Sequence, residues 1–590
     1  MNKKIVSLVL AGGMALSSLG GLAEGAAFTN PGTYSATAMG RNGDVTVTAT
    51  FSDTAITGIE VTHAETPTIG DSAIEQLTAQ VLGNQTLAVD AVTGATLSSD
   101  AFMTALEDCV EQAGGDAAVL KAASTDKAEA KAAYEVTEAD VIIVGAGGAG
   151  LTAAKVAADR GATVILLEKS GVVGGNSLCS QMGINAAGAK VQEGLPYATK
   201  ELLTEAQSQA GGRENLIAAY VENSGKAIDW FVDELGIEFE GPNSERVDPN
   251  NPIASALGGH PSGGDLFMMQ AKADGYTSNT LIKALTQSIK ASGVTLYVNT
   301  EATELITNDA GAVVGVKAKA ADGSEVTFTG KAVLLATGGF GQNHEMVAVL
   351  RPDLKNAITD EMAPTTGDGI VMAEALGAKT VDMEAMQTFP HVPLGDTWMG
   401  PFGMPGGFRT SAIFVNQDAQ RFTTEGFDDA ASDILAQEKT FSIFSVEDMN
   451  PTLAQLKGRG IVKVADTPEA LAELLGLDPA ALAATIAQYN ADCEAGKDSQ
   501  FDHQNLKKLE GPLGGYAFGV GAHYMMGGLL INEKTQVLDQ NEQPIPGLYA
   551  AGEVTGGFHG TVRVDGSGTG DAFVFGYVAG NELADAVKGE

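Results

Sequence analysis

The chain of 590 residues has only three cysteines, Cys109, Cys179 and Cys493, far apart and without metal-ligand spacing. Neither a disulfide framework nor a zinc site is expected on that count. Positive charge is scarce too: 35 Lys and Arg stand against 74 Asp and Glu, a formal net charge of −39. Nucleic acid and anionic membrane surfaces would repel such a chain at long range, so neither is expected as a partner. Any anion it binds needs a local cationic pocket. Beyond the amino terminus no stretch is long and apolar enough to span a bilayer. Glycine, by contrast, is plentiful at 74 residues but follows no three-residue period, which points to tight turns and phosphate cradles rather than collagen. The length calls for two or three domains, each with its own core.

The first residues, MNKKIVSLVLAGGMALSSLGGLAEGAA, place Lys3 and Lys4 before an apolar run and small residues near Ala23 and Ala26. Residues 1–25 read as an export signal. The alternative, an uncleaved anchor, is disfavoured by Gly12, Gly13, Ser17, Ser18, Gly20 and Gly21 within the run. The mature protein is therefore expected outside the cytoplasmic membrane, in a periplasm or at the cell surface. Residues 28–115 form a small α+β domain. Val45, Val47, Ala49 and Phe51 alternate with polar neighbours, as do Ile56, Ile59 and Val61, giving a strand pair. Helices are expected over Ser72–Leu82 and, behind a serine cap, over Ser99–Gln112. An Ala, Lys and Glu-rich linker covers 116–138.

The segment DVIIVGAGGAGLTAAKVAADRGATVILLEKS carries a dinucleotide fingerprint in its proper setting: an apolar strand, Gly145, Gly147 and Gly150, a helix, a second strand, and Glu168 at its end. Gly145 makes the turn, Gly147 admits a pyrophosphate at the helix N-terminus and Gly150 lets helix and strand pack closely. Glu168 can accept hydrogen bonds from a ribose. The fingerprint alone leaves FAD and NAD open.

Three further stretches, KSGVVGGNSLCSQMGINAAG, VLLATGGFGQN and GLYAAGEVTGGFHG, together resemble the FAD-binding domain of the fumarate reductase and succinate dehydrogenase flavoprotein superfamily. The nearest likeness is to its soluble, secreted fumarate, urocanate and methacrylate reductases. The resemblance implies a doubly wound α/β domain holding FAD without a covalent bond, split into residues 139–385 and 523–590 around an α+β clamp over 386–522. It implies FAD contacts, beyond the fingerprint, from Lys169, Gly175, Asn176, Ser177, Gly338, Gly339, Asp368, Glu553, Ser567 and Gly568. DAVTGAT, from Asp90, is similar to the acceptor sequence at which a flavin transferase joins FMN to a threonine through a phosphoester, here Thr96. With no CxxCH in the chain, covalent haem is excluded. Electrons would then enter from a membrane-associated donor through FMN on Thr96 and pass to FAD. No metal is expected.

By the same resemblance one substrate carboxylate is bound by His523, in GAHYMMGG, and by Arg563, in GGFHGTVRVDGSG. Arginine suits this because its fork binds a carboxylate bidentately and stays charged. Two departures matter. Where fumarate reductases hold a second carboxylate with histidine, this chain has Phe389, with His391 displaced by two residues. Their proton-donating arginine is also missing after RFTTEG. Arg409 is the first candidate for the proton donor, ahead of Tyr524 and Asp428. His260 and His559 fall nearest the expected flavin. The leading expectation is a reductase of an α,β-unsaturated, aryl or alkyl monocarboxylate; the alternatives are an enone or ketosteroid oxidoreductase using Tyr524, and a two-flavin electron carrier.

Overall fold

The computed structural model describes residues 4–9, 27–66, 69–122, 134–178, 180, 182–241, 267–272, 277–395, 412–425, 430–501, 503 and 506–589. In the amino-terminal domain the expected pair, Asp44–Phe51 and Ile56–His63, runs antiparallel and buries its alternate apolar residues. A strand absent from the sequence reading, Gly32–Met39, extends the meander. Its GTYSATAM has few large apolar side chains, so its alternation carries little hydrophobic signal. Lys4–Val9, inside the stretch read as an export signal, pairs on the far side of Ile56–His63. The helices are Gly70–Asn84 and Thr96–Gln112. The second begins three residues before the expected cap, with Thr96 at its first position. Ser99 instead donates its hydroxyl to the Ala95 carbonyl at 2.9 Å and accepts from the Val92 amide at 3.1 Å, stitching the preceding turn onto the helix.

The central sheet has six strands in the order Thr295–Tyr297, Val164–Leu167, Val141–Val144, Ala332–Leu335, Pro544–Ala550, Gln536–Leu538. The first five are parallel and the last antiparallel. The Val141–Val144, Val164–Leu167 and Ala332–Leu335 strands are uniformly buried, as strands covered on both faces must be. Between Ala332–Leu335 and Pro544–Ala550 the chain leaves the sheet to build the clamp, whose core strand Leu513–Met525 pairs with Met386–Pro393 and Thr440–Ser445. That 13-residue strand carries His523 and Tyr524 at its C-terminal end.

Within the clamp, Arg421 is fully buried with two carboxylates, Glu425 at 2.7 Å and Asp498 at 2.8 Å, over the rings of Tyr489 and Phe501. His391 also belongs to this interior: it is 1% exposed and sits 4.5 Å from the Phe414 ring and 5.6 Å from Phe518. The displaced histidine is thus a core residue of the clamp. Burial pushes its pKa down from 6.5 to about 3. Between those values the unfolded chain takes up a proton that the folded chain refuses, so acid erodes stability by about 1.4 kcal/mol per pH unit from this group. His391→Leu should therefore lose roughly 2 kcal/mol less than the parent between pH 6 and pH 4 in urea unfolding. Parallel curves for the two proteins would show that the site does not hold a neutral imidazole.

The amino-terminal domain packs onto the FAD-type domain. Gln76 donates to the Gly171 carbonyl at 3.1 Å. Gly94 (φ +88°), in the turn before Thr96, lies so close that a Cβ there would stand 3.0 Å from Val172 Cγ2 and 3.5 Å from Met362 Cε. Thr96 itself is exposed at this junction.

Candidate active site

Gly145 and Gly150 stand where the backbone leaves no room for a side chain. Gly145 has φ +100°, and a Cβ on it would lie 2.3 Å from the Ala336 carbonyl oxygen; a Cβ on Gly150 would lie 1.9 Å from that of Gly145. Gly147 differs: its φ of −78° suits any residue, and the nearest protein atom to a Cβ would be Gly174 O at 3.9 Å. Nothing in the fold requires glycine there, so the space beside the N-terminus of the Gly148–Asp159 helix fits a bound pyrophosphate. Glu168 accepts from Ser170 N (2.8 Å) and Ser170 Oγ (2.9 Å) on one oxygen and from Ala146 N (2.9 Å) on the other, which leaves acceptor capacity for a ribose hydroxyl. Burial raises its pKa.

The remaining expected FAD contacts form two groups. Ser177 accepts from the Gly148 amide at 3.1 Å, and Lys169 is held by Thr366 at 2.7 Å and by Asp368. Gly175 borders the same slot, where a Cβ would meet only Gly147 Cα at 3.6 Å. In the second group Asn176 accepts from Met362 N at 2.8 Å and donates to Glu553 at 3.4 Å, while Glu553 accepts from Met525 N at 3.0 Å. Gly339 keeps clear the space beside Glu553, and Gly338 turns there with φ +75°. Glu361 is buried beside Glu553, and burial, followed by that neighbour's charge, pushes the Glu361 carboxyl well above the ordinary carboxylate range. Ser567, first in the Ser567–Lys588 helix, accepts from Asn185 at 3.1 Å and from Gln207. Gly568 also borders the substrate end: a side chain there would strike Arg563 Nη1 and the Tyr524 ring, both 2.9 Å from its Cβ position.

At the substrate end, His523, Phe389, Arg563 and Tyr524 come together, all half-buried. His523 Nδ1 pairs with Asp360 Oδ2 at 2.8 Å, and the Phe389 ring stacks on the imidazole with centroids 4.0 Å apart and planes 32° apart. Arg563 Nε donates to Gln387 Oε1 at 2.6 Å, and its guanidinium lies 5.0 Å from the Tyr524 ring centroid. Among the described residues no carboxylate stands within ion-pair reach of Arg563, in a chain with more than twice as many acids as bases. A cation left without a counter-ion beside an aromatic wall can receive a carboxylate whose far end is apolar. The Tyr524 hydroxyl donates to Asp571 Oδ2 at 2.8 Å, so its proton is turned towards a buried carboxylate. Arg409, Asp428 and His260 lie outside the described residues.

Residues 140–569 match the FAD binding domain family and residues 40–111 the FMN-binding domain family. Over 95% of its length the chain is 34% identical to a urocanate reductase of Eggerthella lenta, covering 93% of that protein. The chain is a flavoprotein of the fumarate reductase superfamily. It is also 31% identical, over 96% of its length, to an NADH:fumarate oxidoreductase of Klebsiella pneumoniae, of which it spans 60%. Among solved structures it resembles the open conformation of a flavocytochrome c3 fumarate reductase, at 30% identity with a TM-score of 0.68, over 78% of this chain and 80% of that one. The protein is thus an FAD-dependent oxidoreductase acting on carbon–carbon double bonds, with FAD and FMN as cofactors.

The sequence reading missed Asp360, Gln387 and Asp571. Gln387 was within reach, since it stands two residues before Phe389 on one strand and so faces the same way. Asp571 follows Ser567 by four residues on one helix face. Asp360 had no local signal: it reaches His523 because Ile358–Thr359 pairs in parallel with Gly521–Ala522.

Proposed function

We propose that this reductase saturates the double bond of an α,β-unsaturated monocarboxylate with a flat aryl end, an arylacrylate such as urocanate. Arg563, without a carboxylate partner among the described residues, carries the reading. Its fork takes the acceptor's carboxylate, with Gln387 fixing its Nε. Phe389, where related fumarate reductases have histidine, offers the far end of the acceptor a ring. Asp360 fixes the orientation of His523 beside it. FAD, when bound, supplies the hydride. Arg409 is the proposed proton source. An arylacrylate should be turned over as its anion, whereas its methyl ester should be at least about a hundredfold poorer, as expected when a charge-assisted contact is lost. Equal rates on acid and ester would shift the reading to an enone oxidoreductase.

Electrons are proposed to enter from a membrane-associated donor through FMN joined to Thr96 by a flavin transferase, on an exported protein. Two observations support this role: Thr96 is exposed, and its turn abuts Val172 and Met362, beside the FAD cradle. Protein co-expressed with the transferase should carry the mass of FMN less water on the Thr96 peptide. Thr96→Ala should lose it while keeping FAD and direct reduction by dithionite. An unmodified Thr96 peptide in the parent would remove this route.

A further inference from the structure

The helix that begins at Ser567 carries a carboxylate that neither the cofactor nor the acceptor explains. Asp571 is 1% exposed and lies one side chain away from Arg563. Between them stands Tyr524, whose hydroxyl donates to Asp571 at 2.8 Å and whose ring lies against the Arg563 guanidinium. His559 closes the group, with Nε2 at 3.2 Å from the Tyr524 hydroxyl and 3.5 Å from Asp571 Oδ2. Asp571 and the acceptor's carboxylate are chemically equivalent partners for one arginine. If Asp571 paired with the fork directly, it would fill the place the acceptor must take.

Resting on the reading of Arg563 as the carboxylate-binding residue, we propose that Tyr524 is a positioning residue: a spacer that keeps Asp571 off Arg563 and holds the guanidinium open for the acceptor. Tyrosine suits both tasks. Its hydroxyl gives the buried carboxylate a donor, and its face offers the cation a weak, non-neutralising contact. Burial and the neighbouring Asp571 charge push its pKa well above 10, so the phenol keeps its proton and the bond to Asp571 persists. Phenylalanine would keep the face but leave Asp571 short of a donor; leucine would supply neither. Gly568 completes the arrangement, because any side chain there would collide with both the arginine and the ring.

The test uses the FAD- and FMN-loaded protein, with an arylacrylate as substrate and its saturated product as a non-reacting ligand in calorimetry. Tyr524→Leu should raise both KM and the product's Kd by about tenfold or more, with a smaller change in kcat, because Asp571 now competes for the fork. Adding Asp571→Asn to that variant should bring both constants back towards those of the parent. A merely structural role for Tyr524 cannot produce that recovery, since the second substitution removes a further interaction. If Tyr524→Leu does not fold, judged by thermal unfolding and FAD content, Tyr524→Met replaces it in the same comparison. The spacer is overturned if the double variant binds as weakly as the single one. It is equally overturned if kcat collapses while KM and the product Kd hold, which would make Tyr524 the proton source. Arg563→Met is the control for the underlying reading: unchanged product binding in that variant overturns the carboxylate site itself, and the spacer with it.

Discussion

Arg563→Met should lower kcat/KM for the acceptor acid by about three powers of ten, with the stem retained and the fork gone. Charge-assisted hydrogen bonds contribute roughly 1.5 to 3 kcal/mol each, and a desolvated carboxylate left without its partner costs about 3 to 5 kcal/mol. At about 1.4 kcal/mol per tenfold, losing a bidentate pair accounts for that range. The fold should tolerate the change, because Arg563 is half-buried and makes one hydrogen bond, to Gln387, and one ring contact, to Tyr524, among the described residues. FAD content and thermal midpoint should therefore stay close to those of the parent while the steady-state constants fall. A tenfold or smaller loss would mean that another cation holds the acceptor.

Phe389→His should turn specificity towards a dicarboxylate. With phenylalanine, the far end of the site is a ring stacked on His523, and a second carboxylate arriving there would be desolvated without a donor. The substitution supplies one, so the ratio of kcat/KM for fumarate to that for an arylacrylate should rise by about two powers of ten. Part of the shift comes from gain on fumarate and part from loss of stacking area for the aryl end. The ratio is the informative quantity, since any general damage to the site cancels in it. An unchanged ratio would show that Phe389 does not face the acceptor.

How far the sequence could be read followed from how local each constraint is. The dinucleotide cradle was fully legible, because Gly145, Gly147, Gly150 and Glu168 lie on one strand–helix–strand unit whose geometry their spacing dictates. The strand pair at 44–63 was legible from its period-two burial, whereas Gly32–Met39 was hidden by its small side chains. The helix after DAVTGAT started early because Ser99 bonds back to Ala95 within the first turn, a use of serine that resembles a cap in sequence. At the substrate end, the structure places His523, Phe389, Arg563 and Tyr524, the residues that family likeness singles out, in one neighbourhood. Their partners were harder to read: Gln387 and Asp571 share a face with Phe389 and Ser567, but their bonds to Arg563 and Tyr524 span 176 and 47 residues, and Asp360 arrives through a parallel pairing 163 residues away. Such contacts are set by topology, and no window of sequence contains them.

The most direct test of the central claim is anaerobic, single-turnover reoxidation. Protein loaded with FAD and FMN is reduced with stoichiometric dithionite and mixed in turn with an arylacrylate, its methyl ester and fumarate, while the flavin absorbance is followed. The predicted result is fast return of the oxidised spectrum with the arylacrylate, at a rate at least about a hundredfold above those for the ester and for fumarate. Fumarate reoxidising the flavin fastest would contradict the assignment of a monocarboxylate site to Arg563, Phe389 and His523.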